Sequence, residues 1–477
     1  MPAEKPSSST GGYELAPAKA VTSDGGALSP STAGAAAASP PPKPSRHDLH
    51  LPAAFARGWW LRPLLAWLVV MLCVNLAAQI AFHSPQRSTF LPSWAYHPGW
   101  SPHQHALIRW DAVRYWQIAH WWYRINNVPV GAANTANYPG YPALVMVLAR
   151  LVPLPIWVWL LLVSNAASAG ATILLYRLAG ELFPDQPTIP MLAVLGFLLQ
   201  PEAVFLFAAY TEPLFDLLMI LFFFAALRRR WPVAALIGAL ADLVRPTGVV
   251  FSATLFFLLL GAALAVRKGA GQRPGRSVDA HSPASQDALA MTRAKAIGLA
   301  ILWPAAAASG FILWAAWLAW ETGNPWMVLE IQRWVHVGLT WKHTVLALDV
   351  DKTFHRMAAS LMSPADPAHI AALENACALF TPLVILAMVL PKIRLPAPLV
   401  LVALFLWMLP FFSHSQIHYQ GMGRYQLATS VPLWIFFAAV MAKLPPRWAW
   451  LCVPLLSLSA LWMLMVTMRF TQGFWVG

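Results

Sequence analysis

Apolar runs close to the length of about twenty residues that a helix needs to cross the hydrocarbon core of a bilayer recur along this chain. They lie at 59–82, 156–178, 190–207, 214–227, 249–266, 297–320, 370–390, 399–412, 426–441 and 448–468. Only 11% of the residues are charged, where a soluble domain carries about 25%. Too few charges remain to cover a water-facing surface, so an all-α integral membrane protein is expected, a polytopic helical bundle. The net charge of +13 belongs to the same class, because Lys and Arg collect on cytoplasmic loops. A nucleic-acid partner is not needed to explain it. Many tryptophans stand at segment ends (Trp59, Trp60, Trp157, Trp231, Trp320, Trp448), where the ring settles among lipid headgroups. Cys73, Cys377 and Cys452 fall inside apolar runs without metal-ligand spacing, and read as small core residues rather than a disulfide.

Residues 1–55 are rich in Ser, Ala, Pro and Gly and cannot bury enough apolar surface to offset their ordering entropy, so they are expected to form a disordered cytoplasmic tail. Residues 56–472 form the membrane domain. Basic clusters at Arg57 and Arg62, Arg177, 228–230, 267–296, Lys392 and Arg394, and Lys443 and Arg447 are assigned to the cytoplasm. That places 83–155, a large first loop with helical character, outside, together with 321–370 and 413–423. For Arg177 to lie inside, 141–152 must be a re-entrant or interfacial helix. The run 233–250 is broken at Asp242, Arg245 and Pro246, which reads as two spans meeting near Arg245. The expected total is about eleven spans. Eleven of the fourteen histidines lie in the outer segments, which favours an enzyme or receptor working on that side.

Four polar clusters interrupt the apolar pattern. The first, Ile108-Arg-Trp-Asp-Ala-Val-Arg-Tyr-Trp-Gln-Ile-Ala-His120, has apolar and aromatic residues at helical spacing, with Asp111 flanked by Arg109 and Arg114. Neighbouring cations keep a carboxylate ionised and usable as a general base; equally, Asp111 pairs structurally with Arg109 or Arg114. The second holds Gln200, Glu202, Tyr210, Thr211 and Glu212 between two apolar runs. Acids at membrane depth are costly and mark function, while Glu212 before Pro213 also makes a good helix start. The third is Asp242-Leu-Val-Arg-Pro-Thr-Gly248, where Arg245 either binds a phosphate or pairs with Asp242. The fourth runs from Ser413 to Arg424-Tyr425, a headgroup site or an ordinary polar loop. His103-Gln-His105 lacks a third ligand at diagnostic spacing, so no metal site is assigned. No GxxxxGK[ST], GxSxG or HExxH pattern occurs.

In this order the clusters resemble the PIG-V family of mannosyltransferases, within the GT-C class of membrane glycosyltransferases. The resemblance runs over roughly residues 55–470. It rests on Trp110-Asp111 with Ile118-Ala119, Tyr138-Pro-Gly-Tyr-Pro142, Gln200-Pro201 with Tyr210-Thr-Glu212, Arg245 with Gly248, and Arg424-Tyr425. The chain departs from the family where Gln200 and Thr211 stand, and where Asn134–Asn137 replace an acidic residue. The resemblance implies a GT-C-like bundle and a polyprenyl- or dolichyl-phosphate mannose donor. The acceptor is then a lipid or glycan on the non-cytoplasmic face, and no cofactor or metal is required. It implies Asp111 as general base, Arg245, Arg114 and Arg424 on the leaving phosphate, and Tyr210 and Glu212 on sugar hydroxyls. Arg109, Tyr138 and Tyr425 complete the substrate-binding set. A bacterial cell membrane is favoured, with the endoplasmic reticulum the eukaryotic counterpart. A secondary transporter, the rival from another class, should show two related halves with matching broken helices; the break at Arg245 has no counterpart. Another GT-C enzyme, glycosylating protein or cell-wall lipid, shares all these features.

Overall fold

A computed structural model describes residues 58–83, 106–125, 128–129, 134–269, 283–327, 368–413 and 421–474. The expected tail, the His103 and His105 pair, and most of the loops at 321–370 and 413–423 lie outside the described residues. The described part belongs to one unit, Leu51–Gly477. It is helical apart from a two-residue antiparallel pair, β1 (Arg124–Ile125) with β2 (Val128–Pro129), in register Arg124↔Pro129.

Helix α1 (Leu61–Phe82) shows why these segments are membrane helices. Leu65, Val69, Leu72, Leu76 and Ile80 recur every three or four residues and are exposed, while Val70, Val74, Ala78 and Ala81 are buried. Both faces are apolar, one turned to the bundle and one left for lipid. Next in chain order come α2 (Asp111–Trp121), α3 (Gly140–Leu151), α4 (Ile156–Leu182), α5 (Ile189–Leu199), α6 (Glu212–Leu227), α7 (Trp231–Val244) and α8 (Val249–Gly269). The remainder are α9 (Pro283–Ala307), α10 (Ser309–Thr322), α11 (Ala368–Ala387), α12 (Ala397–Ser413), α13 (Val431–Ala442) and α14 (Cys452–Thr471). Helix α4 packs on α5 and α6, α6 on α7, α5 on α13, and α1 on α14.

Among the described residues four helical stretches are long and apolar enough to span a membrane: Leu61–Phe82, Ile156–Leu182, Pro246–Leu264 and Pro446–Thr471. The pair Ala294–Ala307 and Ser309–Thr322, bent by 51°, makes a fifth if counted as one span. Six shorter apolar helices of 10–17 residues occur besides, and the expected count of about eleven is not confirmed among the described residues. An apolar run measures burial, and buried backbone need not be helical. The run 190–207 is helix only to Leu199, and α5, with 11 residues, rises about 16 Å against a hydrocarbon core of about 30 Å.

The stretch beyond α5 positions the site. Residues 200–211 leave the α-helix, with one 3-10 turn at Ala203–Leu206, and every one is buried. Buried backbone must find partners inside the protein, and helix side chains supply them. Ser164 Oγ donates to the Ala208 carbonyl at 2.6 Å, and Asn165 Nδ2 to that of Phe207 at 3.0 Å. The Ala209 N–H donates to the Leu107 carbonyl at 3.1 Å, and Ser459 Oγ to that of Leu199 at 2.7 Å. This anchored strip delivers Tyr210, Thr211 and Glu212 to the middle of the bundle.

Candidate active site

Four elements meet around Glu212, the first residue of α6. Asp111 is the first residue of α2. Arg245 follows the end of α7, where the chain turns extended before the 3-10 turn Pro246–Gly248. Arg424 opens a single π-helical turn, Arg424–Ala428, a local irregularity common at functional sites. Two close approaches hold the α7 end in place. A Cβ on Gly248 would lie 2.3 Å from the Asp242 nitrogen, and one on Gly310 would lie 2.0 Å from the Ala239 carbonyl oxygen. Just before Asp111, Trp110 adopts φ 55° and ψ −122°, a conformation costing a non-glycine residue about 1–3 kcal/mol. It turns the chain so that α2 starts at the carboxylate.

The Arg245 Nη1 lies 2.5 Å from Glu212 Oε1 and donates to Thr211 Oγ1 at 2.9 Å. Arg424 Nε donates to the same Glu212 oxygen, and its Nη1 donates to Asp111 Oδ2 at 3.0 Å. Side-chain exposure is 0% for Glu212, 5% for Arg245, 9% for Arg424 and 26% for Asp111. The cluster thus runs from a fully buried carboxylate to a partly exposed one. Two carboxylates balance two guanidiniums. Aromatic faces line the cations, with the Arg424 guanidinium 4.7 Å from Phe205 and 4.8 Å from Tyr210, and that of Arg245 5.4 Å from Tyr425. Arg245 Nε has no hydrogen-bond partner among the described residues. Burial, and then the nearby Asp111 charge, push the Tyr115 hydroxyl well above its ordinary pKa.

No family model matches the chain. No curated protein matches it either. Among solved structures, two chains of oligosaccharyltransferase from Archaeoglobus fulgidus are similar over 88% of this chain, each at 14% identity. One is AglB in complex with an inhibitory peptide and a dolichol-phosphate, with a TM-score of 0.38 and 57% of that chain covered. The other is the enzyme tethered to an acceptor peptide containing the NVT sequon, with a TM-score of 0.42 and 56% covered. This chain spans just over half the length of either.

Of the sequence-predicted residues, Asp111, Glu212, Arg245 and Arg424 come together in one ion cluster, with Tyr210 and Tyr425 packed against it. The ion-pair partner of Asp111 is Arg424, 313 residues away, rather than the flanking Arg109 or Arg114. Arg245 pairs with Glu212 rather than Asp242. The Arg114 Nη1 donates to Asn134 Oδ1 at 2.5 Å, and the Asn134 amide donates in turn to Gln117 Oε1. Arg109 is buried, and its main-chain carbonyl accepts the Tyr210 hydroxyl at 3.0 Å. Glu212 and Tyr210, expected on sugar hydroxyls, both make contacts inside the protein. Tyr138 stands apart, in an aromatic cluster with Tyr123 and Trp314. Sequence reasoning missed Asp216, one turn beyond Glu212, fully buried and with neither carboxyl oxygen hydrogen-bonded among the described residues. The signal was present, as an acid inside the apolar run 214–227.

Proposed function

We propose that this chain is a membrane glycosyltransferase of the GT-C class. It transfers a sugar, mannose by its sequence resemblance, from a polyprenyl- or dolichyl-phosphate donor to a lipid or glycan acceptor on the non-cytoplasmic face, with inversion. The observation that carries this is the cluster itself. A partly exposed carboxylate is joined through one guanidinium to a buried carboxylate that holds a second guanidinium.

The arrangement suits the chemistry step by step. The acceptor hydroxyl oxygen attacks the anomeric carbon and its proton passes to Asp111, which Arg424 orients. The bond from the anomeric carbon to the lipid phosphate oxygen breaks, and the phosphate keeps the electron pair. Arg245 and Arg424 take up that charge, because planar guanidinium forks match phosphate oxygens and a site prearranged in low dielectric need not reorganise. Glu212 fixes the distance between the two forks, and the apolar walls between helices accept the prenyl chain.

The test is sugar transfer in membranes carrying the full chain, supplied with a lipid-phosphate mannose donor. Asp111→Asn should lower the rate at least about 100-fold, the usual worth of a positioned base. Full activity in that variant removes Asp111 as the base. Failure of the wild type to transfer from any lipid-phosphate hexose removes the class.

A further inference from the structure

Beside the ion cluster lies a second gathering of aromatic side chains that the proposed chemistry does not use. Trp314 and Trp317 of α10 stack with centroids 5.0 Å apart and planes 6° apart. Tyr123 tilts against them at 4.8 and 5.1 Å, Tyr138 lies 6.2 Å from Trp314, and Trp122 meets Trp317 edge-on at 5.8 Å. By itself this is a packed aromatic core.

Two polar atoms there are not explained by packing. Asp242 is 1% exposed and Trp314 2% exposed. Neither Asp242 Oδ2 nor Trp314 Nε1 has a hydrogen-bond partner among the described residues. The fold seats Asp242 against α10 one helical turn before Trp314. Helix α10 closes on α7 at Gly310, where a Cβ would stand 2.8 Å from the Asp242 Cβ. Trp314 comes four residues later, on the same face of α10. The main-chain N–H of Phe311 donates to the Asp242 carboxyl, which orients it and leaves Oδ2 over. Burial and the Asp242 charge together push the Tyr138 hydroxyl above its ordinary pKa, so Tyr138 shares this environment.

We propose that Asp242, Trp314, Tyr138 and the stacked Trp317 form a subsite for a pyranose ring, separate from the ion cluster. A buried indole N–H needs an acceptor and a carboxyl oxygen accepts from a donor. A hydroxyl is the neutral group that meets both needs at once. A pyranose carries such hydroxyls on its rim and an apolar C–H face that lies flat on an aromatic ring. Trp122 and Trp317 are only half buried. Asp242 precedes Arg245 by three residues, a separation of about 5 Å along a helix, so a ring held here lies within one sugar's length of the phosphate-binding arginine. That placement as a substrate subsite rests on the transferase proposal; the binding of a ring does not.

The experiment is saturation-transfer NMR on the full chain in detergent, with methyl α-D-mannopyranoside and methyl α-D-glucopyranoside as probes and glycerol as control. Saturable transfer to a pyranoside and none to glycerol is expected. Asp242→Asn should weaken binding about tenfold and Trp314→Phe, which keeps a ring but removes the N–H, about threefold, from the loss of one hydrogen bond to a charged or a neutral partner. Gly261→Ala, with nothing within 4 Å of the new Cβ, should bind as the wild type does. A melting temperature matching wild type certifies the fold, and if one variant fails to fold the other carries the test. Absence of saturable transfer to both pyranosides, or unchanged binding in the folded variants, overturns the subsite. In the transfer assay, a rise in KM for the acceptor or for the donor in Asp242→Asn assigns the ring to that substrate. Pyranoside binding by a wild-type chain that transfers nothing would leave the subsite standing and remove the transferase reading.

Discussion

Glu212 is the position where the charge balance of the cluster can be measured directly. Its carboxylate is 0% exposed and faces two guanidiniums that are 5% and 9% exposed. Glu212→Gln keeps the shape and removes the charge, so two buried cations are left with Asp111 alone. Removing one partner of a buried pair costs about 3–5 kcal/mol, because the remaining charge stays desolvated. Arg424→Met also deletes two ion pairs, yet it leaves Glu212 and Arg245 matched. The unbalanced charge then sits on Asp111, 26% exposed, where water takes up most of it and the cost falls to about 1 kcal/mol. A methionine retains contact with the Phe205 and Tyr210 rings. At no more than roughly 2 °C per kcal/mol for a chain of this size, Glu212→Gln should melt up to about 6–10 °C below wild type and Arg424→Met up to about 2 °C below. Thermal unfolding of the purified chain in detergent reads both values. The gap should persist at high salt, since buried pairs are little screened. An Arg424→Met protein that melts at or below Glu212→Gln would show that charge balance does not govern the stability of the cluster.

Asp111→Asn leaves Arg424 and Arg245 facing Glu212 alone, so its melting temperature should fall, but less than that of Glu212→Gln, because the fully buried carboxylate between the two guanidiniums is kept, while transfer falls far more steeply. A collapse of melting with transfer retained would assign Asp111 to structure instead. Gly310→Ala places a methyl group 2.0 Å from the Ala239 carbonyl oxygen and should lower both stability and transfer. Gly261→Ala, with nothing within 4 Å of the new Cβ, should stabilise by up to about 1 kcal/mol through helix propensity; equal melting of the two variants would count against tight seating of α7. Asp216→Leu removes a buried carboxyl without a hydrogen-bond partner among the described residues and should raise stability by about 1–3 kcal/mol, read by the same melting assay. A clear fall would mean that Asp216 supplies charge to Arg245.

Much of the site was legible because costly residues stand out against an apolar background. Arg245 breaks an apolar run, Glu212 stands between two, and Asp111 and Arg424 sit in polar clusters outside them; the break at Arg245 appears as the end of α7 at Val244. Pairing was not legible. Local spacing offers Arg109 or Arg114 to Asp111 and Asp242 to Arg245, whereas the fold pairs Asp111 with Arg424 and Arg245 with Glu212. Tyr138 sits in a motif with the others yet packs on α10, whose Trp314 is far away in sequence. The three-residue motif Tyr210-Thr-Glu212 contains no hint that the strip before it is held by Ser164 and Asn165 from α4.

The sequence by itself determined that this is a helical membrane protein and which polar residues it carries at depth. Both come from local sums of apolar length and charge, and need no knowledge of neighbours. Only the tertiary structure decided how much of each apolar run is helix and which charges neutralise one another. Burial can be met by irregular backbone when side chains from another helix take its carbonyls. A charge out of water must find its opposite wherever the packing brings one, here 313 residues along the chain from Asp111.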